Sequence, residues 1–158
     1  LIHYPILVIR GKAYVGGKRL DNQHGNIVDF LAKARTTSAA LLVEIKTPLT
    51  PLLGKEYRQD IFPPSRDLGG AISQVLHYKS SLQSEINRLR DDCAERLEAD
   101  EPKCLVIAGN VQQELDSVAK QRAFERLRER LHGVTIVGFD ELFEKASDLV
   151  KLLSGGAA

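Results

Sequence analysis

The first third of the chain alternates between short β-prone apolar segments and polar connections. Four segments have the length and the Val, Ile, Leu and Tyr content of strands. In order, they are residues 4–9, 12–18, 27–34 and 39–47. The last two flank the tetrapeptide Arg-Thr-Thr-Ser, which predicts a β-hairpin with a loop of about four residues. A proline-punctuated stretch, residues 47–65, follows, and its length favours a functional loop over a simple connector.

The middle of the chain has a helical period. Apolar residues recur every three or four positions from Ser65 or Asp67 to about Ala99, which predicts one long helix of about 50 Å. The outer half of this helix is densely charged. We therefore expect it to project from the domain or to pack against another subunit along a narrow seam.

The last third of the chain alternates between strands and helices. Buried strands are predicted at residues 103–109 and 134–139. The helix between them should run from about Val111 to Leu131, and the last helix should be capped by Asp140. A strand, helix, strand order predicts that the two strands are parallel.

The predicted hairpin gathers charged residues on one face. If its strands pair outward from the four-residue loop, Asp29 lies opposite Glu44, with Cβ atoms about 5 Å apart. Lys46 is two residues beyond Glu44, so the period of a strand places it on the same face. Val43 and Ile45 then point into the opposite, apolar layer. Two carboxylates this close repel each other unless a positive charge sits between them.

Paired carboxylates on neighbouring strands suit a hard divalent cation. Mg²⁺ takes one or two carboxylates and fills its remaining positions with waters and phosphate oxygens. Such an ion can polarise a phosphoryl group and generate hydroxide from water, and a nearby lysine can orient that water or stabilise developing charge. The hairpin is therefore a candidate phosphodiester-cleaving site.

At this point the residues match a known family. Asp29, fourteen intervening residues and then Glu44, Ile45 and Lys46 resemble the core signature of the PD-(D/E)xK nuclease superfamily. Val28 stands where the family's name-giving proline would be, a position where proline is dispensable in that superfamily.

A second motif lies on the predicted long helix. Gln74 and Tyr78 resemble the Q-x-x-x-Y motif of the RecB-like branch, and their spacing places both on one helical face. The wider pattern, dense from about Gly11 to Leu82, is most similar to the nuclease domain of the Shedu antiphage-defence proteins.

This resemblance implies a restriction-endonuclease-like α/β fold, with a central mixed sheet flanked by helices and one long projecting helix. It implies Mg²⁺-dependent cleavage of DNA, with Mn²⁺ as the expected substitute, and an additional N-terminal regulatory region. The implied metal ligands are Asp29, Glu44 and the carbonyl of Ile45. The implied catalytic residues are Asp29, Glu44, Lys46, Gln74 and Tyr78. An acidic residue that superfamily members often supply from an earlier helix is not assigned here.

Basic residues outside this set are candidates for contacts with DNA phosphates, because guanidinium and ammonium groups suit phosphate oxygens. They are Lys18, Arg19, His24, Arg58 and Arg66. The whole chain has 22 basic and 21 acidic residues, so any contact with DNA must use a local patch.

The size of the chain, 158 residues, predicts one domain over residues 1–153, as a fragment of a longer protein, with a disordered tail at 154–158. No stretch has the roughly 18 apolar residues of a membrane span. The two cysteines, Cys93 and Cys104, form no CxxC motif, which favours free thiols in a cytoplasmic protein. We also expect a homo-oligomer.

Other interpretations stay open. Glu44 and Lys46 could be an ordinary solvent-facing pair on a strand. Gln74 and Tyr78 could be a packing pair between helix and sheet. The domain could also be a catalytically inactive nucleic-acid-binding module, or an oligomerisation or sensor domain, on the same fold.

Overall fold

The structure, a computed structural model, describes residues 6–14, 27–34, 39–92 and 98–155. Its strands and helices, in chain order, are β1 (Ile6–Tyr14), β2 (Ile27–Ala34), β3 (Ala39–Ile45), α1 (Arg66–Asp92), β4 (Glu98–Ile107), α2 (Val111–Glu114), α3 (Val118–Arg130), β5 (Val134–Val137) and α4 (Phe139–Leu153).

The strands form a mixed sheet in the spatial order β1-β2-β3-β4-β5. β1 pairs with β2, and β2 with β3, in antiparallel fashion. β4 and β5 are parallel. The amide of Cys104 donates to the carbonyl of Gly133, and the amide of Ala108 donates to the carbonyl of Val137. The difference in residue number between donor and acceptor is the same in both bonds, as in a parallel pair. The predicted α/β class, with a mixed sheet flanked by helices, is confirmed.

The chain divides into two compact units. The first comprises Leu1–Ile45, Gly70–Val106 and Leu131–Thr135, and the second comprises Lys46–Gly69, Ile107–Arg130 and Ile136–Ala158. Within the first, fully buried side chains come from the hairpin, α1 and β4. They are Val28, Leu42, Val75, Leu82 and Val106. Within the second, Leu52, Leu68 and Phe124 are fully buried.

The start of the sheet differs from the prediction of two short strands. Residues 6–14 form one strand, β1, and its register against β2 shifts between Val8 and Arg10. A β-bulge of this kind absorbs an extra residue and keeps the strand paired, so the segment around Gly11 does not interrupt it.

The long helix ends earlier than predicted. α1 has 27 residues, about 40 Å, and Glu98 and Ala99 already belong to β4. Pro102 favours extended backbone at Glu101, within β4, but it does not determine where α1 ends. The prediction that the charged half of α1 projects concerns side chains from Glu85 onward, which lie outside those described.

The predicted helix from Val111 to Leu131 is two helices, α2 and α3. The break falls where Leu115 turns inward and is buried, and where the side-chain oxygen of Ser117 accepts a hydrogen bond from the amide of Lys120. Serine in this position caps a new helix, which competes with continuing the old one.

The prediction that Asp140 caps its own helix is wrong. α4 begins after Gly138, whose amide donates to Oε2 of Glu141 at 2.8 Å. The carboxylate of Asp140 instead accepts hydrogen bonds from the amides of Val111 (3.0 Å) and Gln112 (2.8 Å), at the start of α2. Asp140 therefore ties the first turn of α4 to α2.

This contact predicts an effect on stability. Burial alone would raise the pKa of Asp140, but hydrogen bonds from backbone amides, those of Gln112 and Val111 before those of Glu141 and Asp140 itself, together outweigh it, and the pKa lies below its usual range. Asp140→Ala should lower the free energy of unfolding by about 1 kcal/mol at neutral pH. A lowered pKa in the folded state means that this contribution is present above about pH 4 and is lost as the pH falls through the lowered value.

Urea unfolding of the parent and Asp140→Ala, across a pH series from neutral to acid, measures the difference. The matched control is Asp148→Ala, which removes an exposed carboxylate from the same helix and should change stability by less than about 0.5 kcal/mol. A loss for Asp140→Ala that is equal at neutral and acid pH would contradict the capping role.

Candidate functional site

The register of the hairpin is the one that the sequence predicts. The structure pairs four residues of β2 with four of β3, stepping outward from the loop. These pairs are Lys33 with Ala40, Ala32 with Leu41, Leu31 with Leu42, and Phe30 with Val43. The next position outward in the same register places Asp29 opposite Glu44.

Glu44 is buried. Only 3% of its surface is exposed, and its Oε2 atom is inaccessible to solvent. The residues that precede it on the same face of β3, Leu42 and Ala40, are buried too, so its carboxylate continues an apolar row. The hypothesis of a solvent-facing strand pair is therefore wrong for Glu44. A carboxylate in such a place requires compensation by hydrogen bonds or positive charge.

Asp29 is held against the end of the partner strand. Its Oδ2 atom accepts a hydrogen bond of 2.8 Å from the amide of Ile45, the residue after Glu44. This bond orients the half-buried carboxylate through Oδ2, and the Oδ1 atom takes no part in it. The hairpin thus positions the two predicted acidic ligands at neighbouring places, at the end of the β2–β3 pairing.

Lys46 is the first residue after β3 and is half-buried. Its amide donates to the carbonyl of Ile107 at 2.9 Å, which fixes the backbone at this point. Because β3 ends at Ile45, no ladder pairing extends the alternation of side chains to Lys46. Its place on the face of Glu44 and its catalytic role remain predictions, as does the role of the Ile45 carbonyl.

Gln74 and Tyr78 lie together on α1, as their spacing predicts. Nε2 of Gln74 donates to Oη of Tyr78 at 2.8 Å, and both side chains are half-buried. The hydrogen bond fits both interpretations, because a packing pair and a pair that supports a site each need a satisfied phenol. Their functional role stays a prediction.

The basic residues predicted to contact DNA divide into two groups. Lys18, Arg19 and His24 lie outside the described residues. Arg58 and Arg66 are exposed, and the Arg58 guanidinium lies 5.4 Å from the centre of the Tyr57 ring. A guanidinium over an aromatic face is held in place without being neutralised, so Arg58 keeps its charge available.

The long loop after β3 has an anchor that the sequence pattern does not reveal. The carboxylate of Glu114 accepts hydrogen bonds from the amide of Leu52, at 2.8 Å to Oε1 and 2.7 Å to Oε2, and from the amide of Leu53 at 2.7 Å. Gly109 allows the same loop to pack closely, because the Cβ atom of any other residue there would lie 2.6 Å from the carbonyl oxygen of Thr50. No local motif predicts these contacts, because the partners are about 60 residues apart in the chain.

The predicted magnesium ion would need few protein ligands from the acidic pair. Among the described residues, no group of three or more His, Cys, Asp or Glu side chains could hold a metal. Mg²⁺ usually keeps several waters and needs only one or two carboxylates.

Cys104 is free and buried, and burial raises the pKa of its thiol to about 11 despite the charge of Lys79, so it stays protonated at neutral pH.

Comparison with known proteins agrees with the resemblance seen in the sequence. The family model described as "Shedu protein SduA, C-terminal" matches residues 2–143. The Shedu protein SduA of Bacillus cereus (strain B4264) is 42% identical over 157 residues, which cover 96% of this chain and 41% of that protein. The chain thus spans about two fifths of the length of this relative.

Within the described part of the chain, no helix has the length and apolar character needed to cross a membrane.

The family match covers most of the chain and includes the hairpin with Asp29 and Glu44 and the helical pair Gln74 and Tyr78. The chain therefore belongs to the Shedu protein SduA C-terminal family.

Proposed function

We propose that this domain is a metal-dependent endonuclease that hydrolyses DNA phosphodiester bonds in bacterial antiphage defence. The observation that carries the proposal is the burial of Glu44 at the end of an apolar strand, beside an Asp29 carboxylate that the backbone of Ile45 orients. A structural strand does not need two carboxylates there, and burying one costs free energy. A divalent cation would compensate both charges.

The proposed roles follow the chemistry of each side chain. Asp29 and Glu44 would bind Mg²⁺ or Mn²⁺, and the Ile45 carbonyl would supply a further oxygen. The bound ion would polarise the scissile phosphate and activate water. Lys46 would orient that water or stabilise charge on the phosphate. Gln74 and Tyr78, already hydrogen-bonded to each other, would support the site from α1.

The ordered set of Asp29, Glu44, Lys46, Gln74 and Tyr78 supports placing the domain in the PD-(D/E)xK superfamily, in its RecB-like branch. The relative from Bacillus cereus is more than twice as long as the matched region. We infer that the natural protein has a further N-terminal region that regulates cleavage, and that it acts as a homo-oligomer.

A plasmid cleavage assay tests the proposal. The full-length protein should convert supercoiled plasmid to nicked or linear product with Mg²⁺, and EDTA should abolish the conversion, because the proposed cleavage needs a divalent cation to polarise the phosphate and activate water. The control is Lys55→Ala, an exposed loop lysine, which should cut like the parent.

The same assay separates the proposal from its alternative. DNA binding without cleavage in any tested metal would favour an inactive nucleic-acid-binding module. Neither binding nor cleavage would favour an oligomerisation or sensor domain.

A further inference from the structure

A groove in the second compact unit, remote in sequence from the acidic pair, combines apolar walls with two arginines. It lies between the long loop and α3 and encloses about 300 Å³. Its apolar walls include Ile61, Phe62 and Pro64 from the loop and Leu127 from α3. Arg126 and Arg130 complete the lining. No acidic side chain of the described residues lines it.

The two arginines are exposed and one helical turn apart, so their side chains extend from the same face of α3. Nε of Arg126 donates to the carbonyl of Arg122 at 3.1 Å, which leaves both of its amino groups outside this bond. In the part of the chain that the structure describes, neither Arg126 nor Arg130 forms an ion pair. Two like charges at this spacing destabilise a helix slightly, and an anion between them would reverse the effect.

Arg128, between them in the sequence, shows the contrast. Its guanidinium binds both carboxylate oxygens of Glu141, one at 2.9 Å, and lies 4.2 Å from the centre of the Phe124 ring. Arg128 is thus committed to holding α3 against α4. Among the residues that the structure describes, Arg126 and Arg130 form no such ion pair, and both line the groove.

The tip of the loop adds a second feature beside the groove. The amide of Tyr57 donates to the carbonyl of Ile61 at 2.9 Å, and that of Ile61 donates to Arg58 at 2.8 Å, so a tight turn fixes these residues next to the groove wall. Tyr57 is 71% exposed and is covered on one face by Arg58. The turn also carries Asp60, an exposed acidic residue.

We propose that this groove holds the sugar-phosphate backbone of a DNA strand, with phosphates on Arg126 and Arg130. The sugar or an unstacked base would lie against Ile61 and Phe62. This inference rests on the proposed function and assigns it a contact surface beyond the residues that the sequence analysis named.

The exposed ring of Tyr57 favours DNA over an acidic peptide. Guanidinium groups bind carboxylates and phosphates alike in a bidentate way, so the two arginines are compatible with both partners. An exposed aromatic ring next to the cationic groove suits the stacking of bases from a single or frayed strand. The volume of the groove is at the small end for ligand pockets, which fits one or two nucleotide units.

The salt dependence of DNA binding provides the test. The parent protein for this experiment carries Lys46→Ala, so that DNA is bound and not consumed. Fluorescence anisotropy with a short labelled duplex that carries a single-stranded end gives the affinity at 50, 100 and 200 mM salt. Arg126→Gln with Arg130→Gln should flatten the slope of log affinity against log salt by about 1.4 to 1.8, since each lost phosphate contact contributes about 0.7 in a single strand and about 0.9 in a duplex. The loss of affinity should then be about tenfold greater at 50 mM than at 200 mM salt.

Two further variants make the result specific. Arg126→Lys with Arg130→Lys keeps both charges and should retain the salt slope. Lys145→Ala removes an exposed charge from α4, away from the groove lining, and should leave both affinity and slope unchanged. Circular dichroism and thermal unfolding of each variant establish that it is folded.

Each outcome decides the inference. A glutamine double variant with the affinity and slope of the Lys145→Ala control would overturn it. Weaker binding with an unchanged slope would overturn it too, because the arginines would then act through structure. If the parent protein bound no DNA at any salt concentration, the proposed function would fail and the groove would not be a DNA site.

Discussion

Replacing Glu44 with glutamine should abolish Mg²⁺-dependent DNA cleavage and leave the fold intact. Glutamine has nearly the shape of glutamate but no charge, so it should lose most of its affinity for a divalent cation. We expect the rate of plasmid cleavage to fall by roughly 100-fold or more. Without metal, the variant should be as stable as the parent or more stable, because a buried carboxylate opposite Asp29 no longer has to be accommodated.

Plasmid cleavage with Mg²⁺ and thermal unfolding in EDTA measure the two effects. Glu144→Gln, an exposed site on α4, is the matched control and should behave like the parent in both. Cleavage by Glu44→Gln at the parent rate would remove Glu44 from the metal site. A variant that loses cleavage only because it unfolds would show a lowered melting temperature in EDTA, opposite to our expectation.

Lys46→Ala should remove turnover and spare metal binding. If Lys46 orients water or stabilises charge on the phosphate, its loss should reduce the cleavage rate by roughly 100- to 1,000-fold. The affinity for Mg²⁺ should stay the same or rise, since one positive charge near the cation is gone. Titration calorimetry with Mg²⁺ and single-turnover cleavage measure the two quantities separately.

Lys55→Ala serves as the matched control for charge, because Lys55 lies in the exposed loop. If Lys46→Ala lost affinity for Mg²⁺ along with cleavage, Lys46 would have a structural role in the site. If it cut DNA as fast as the control, the catalytic assignment would be wrong.

The hairpin could be predicted from the sequence because its information is local. A short polar loop and two flanking β-prone segments determine which residues pair, and the four observed pairs follow that rule. The shared helical face of Gln74 and Tyr78 was predictable for a similar reason, since the two residues are one helical turn apart, whereas the hydrogen bond between their side chains was not predicted. Both predictions need only the residue spacing of a strand or helix and the position where that element begins.

The burial of Glu44 could not be derived in the same way. Alternation along β3 identifies the face that Glu44 shares with Leu42, but not which face meets the core, and here both faces carry apolar residues. The anchor of the long loop was likewise out of reach, because Glu114 and Leu52 approach each other only through the fold. Such contacts depend on tertiary structure.

The errors at helix ends have specific causes. The apolar period that extends the long helix to Ala99 does not identify where the helix ends, and Glu98 and Ala99 belong to the following strand. Asp140 has the residue type and position of an N-cap, but its carboxylate binds amides of a different helix. Capping patterns identify where a helix starts without identifying which helix a side chain serves.

The hydrogen bond from the Ile45 amide to Asp29 has a consequence for ion selectivity under the proposed function. The bond uses one lone pair of Oδ2 and fixes the orientation of the carboxylate, which favours coordination of a cation through Oδ1 over chelation by both oxygens. Calcium prefers six to eight oxygens and often takes carboxylates in bidentate fashion, whereas magnesium retains much of its hydration shell. If the hairpin binds a divalent cation as proposed, we therefore expect it to favour magnesium over calcium.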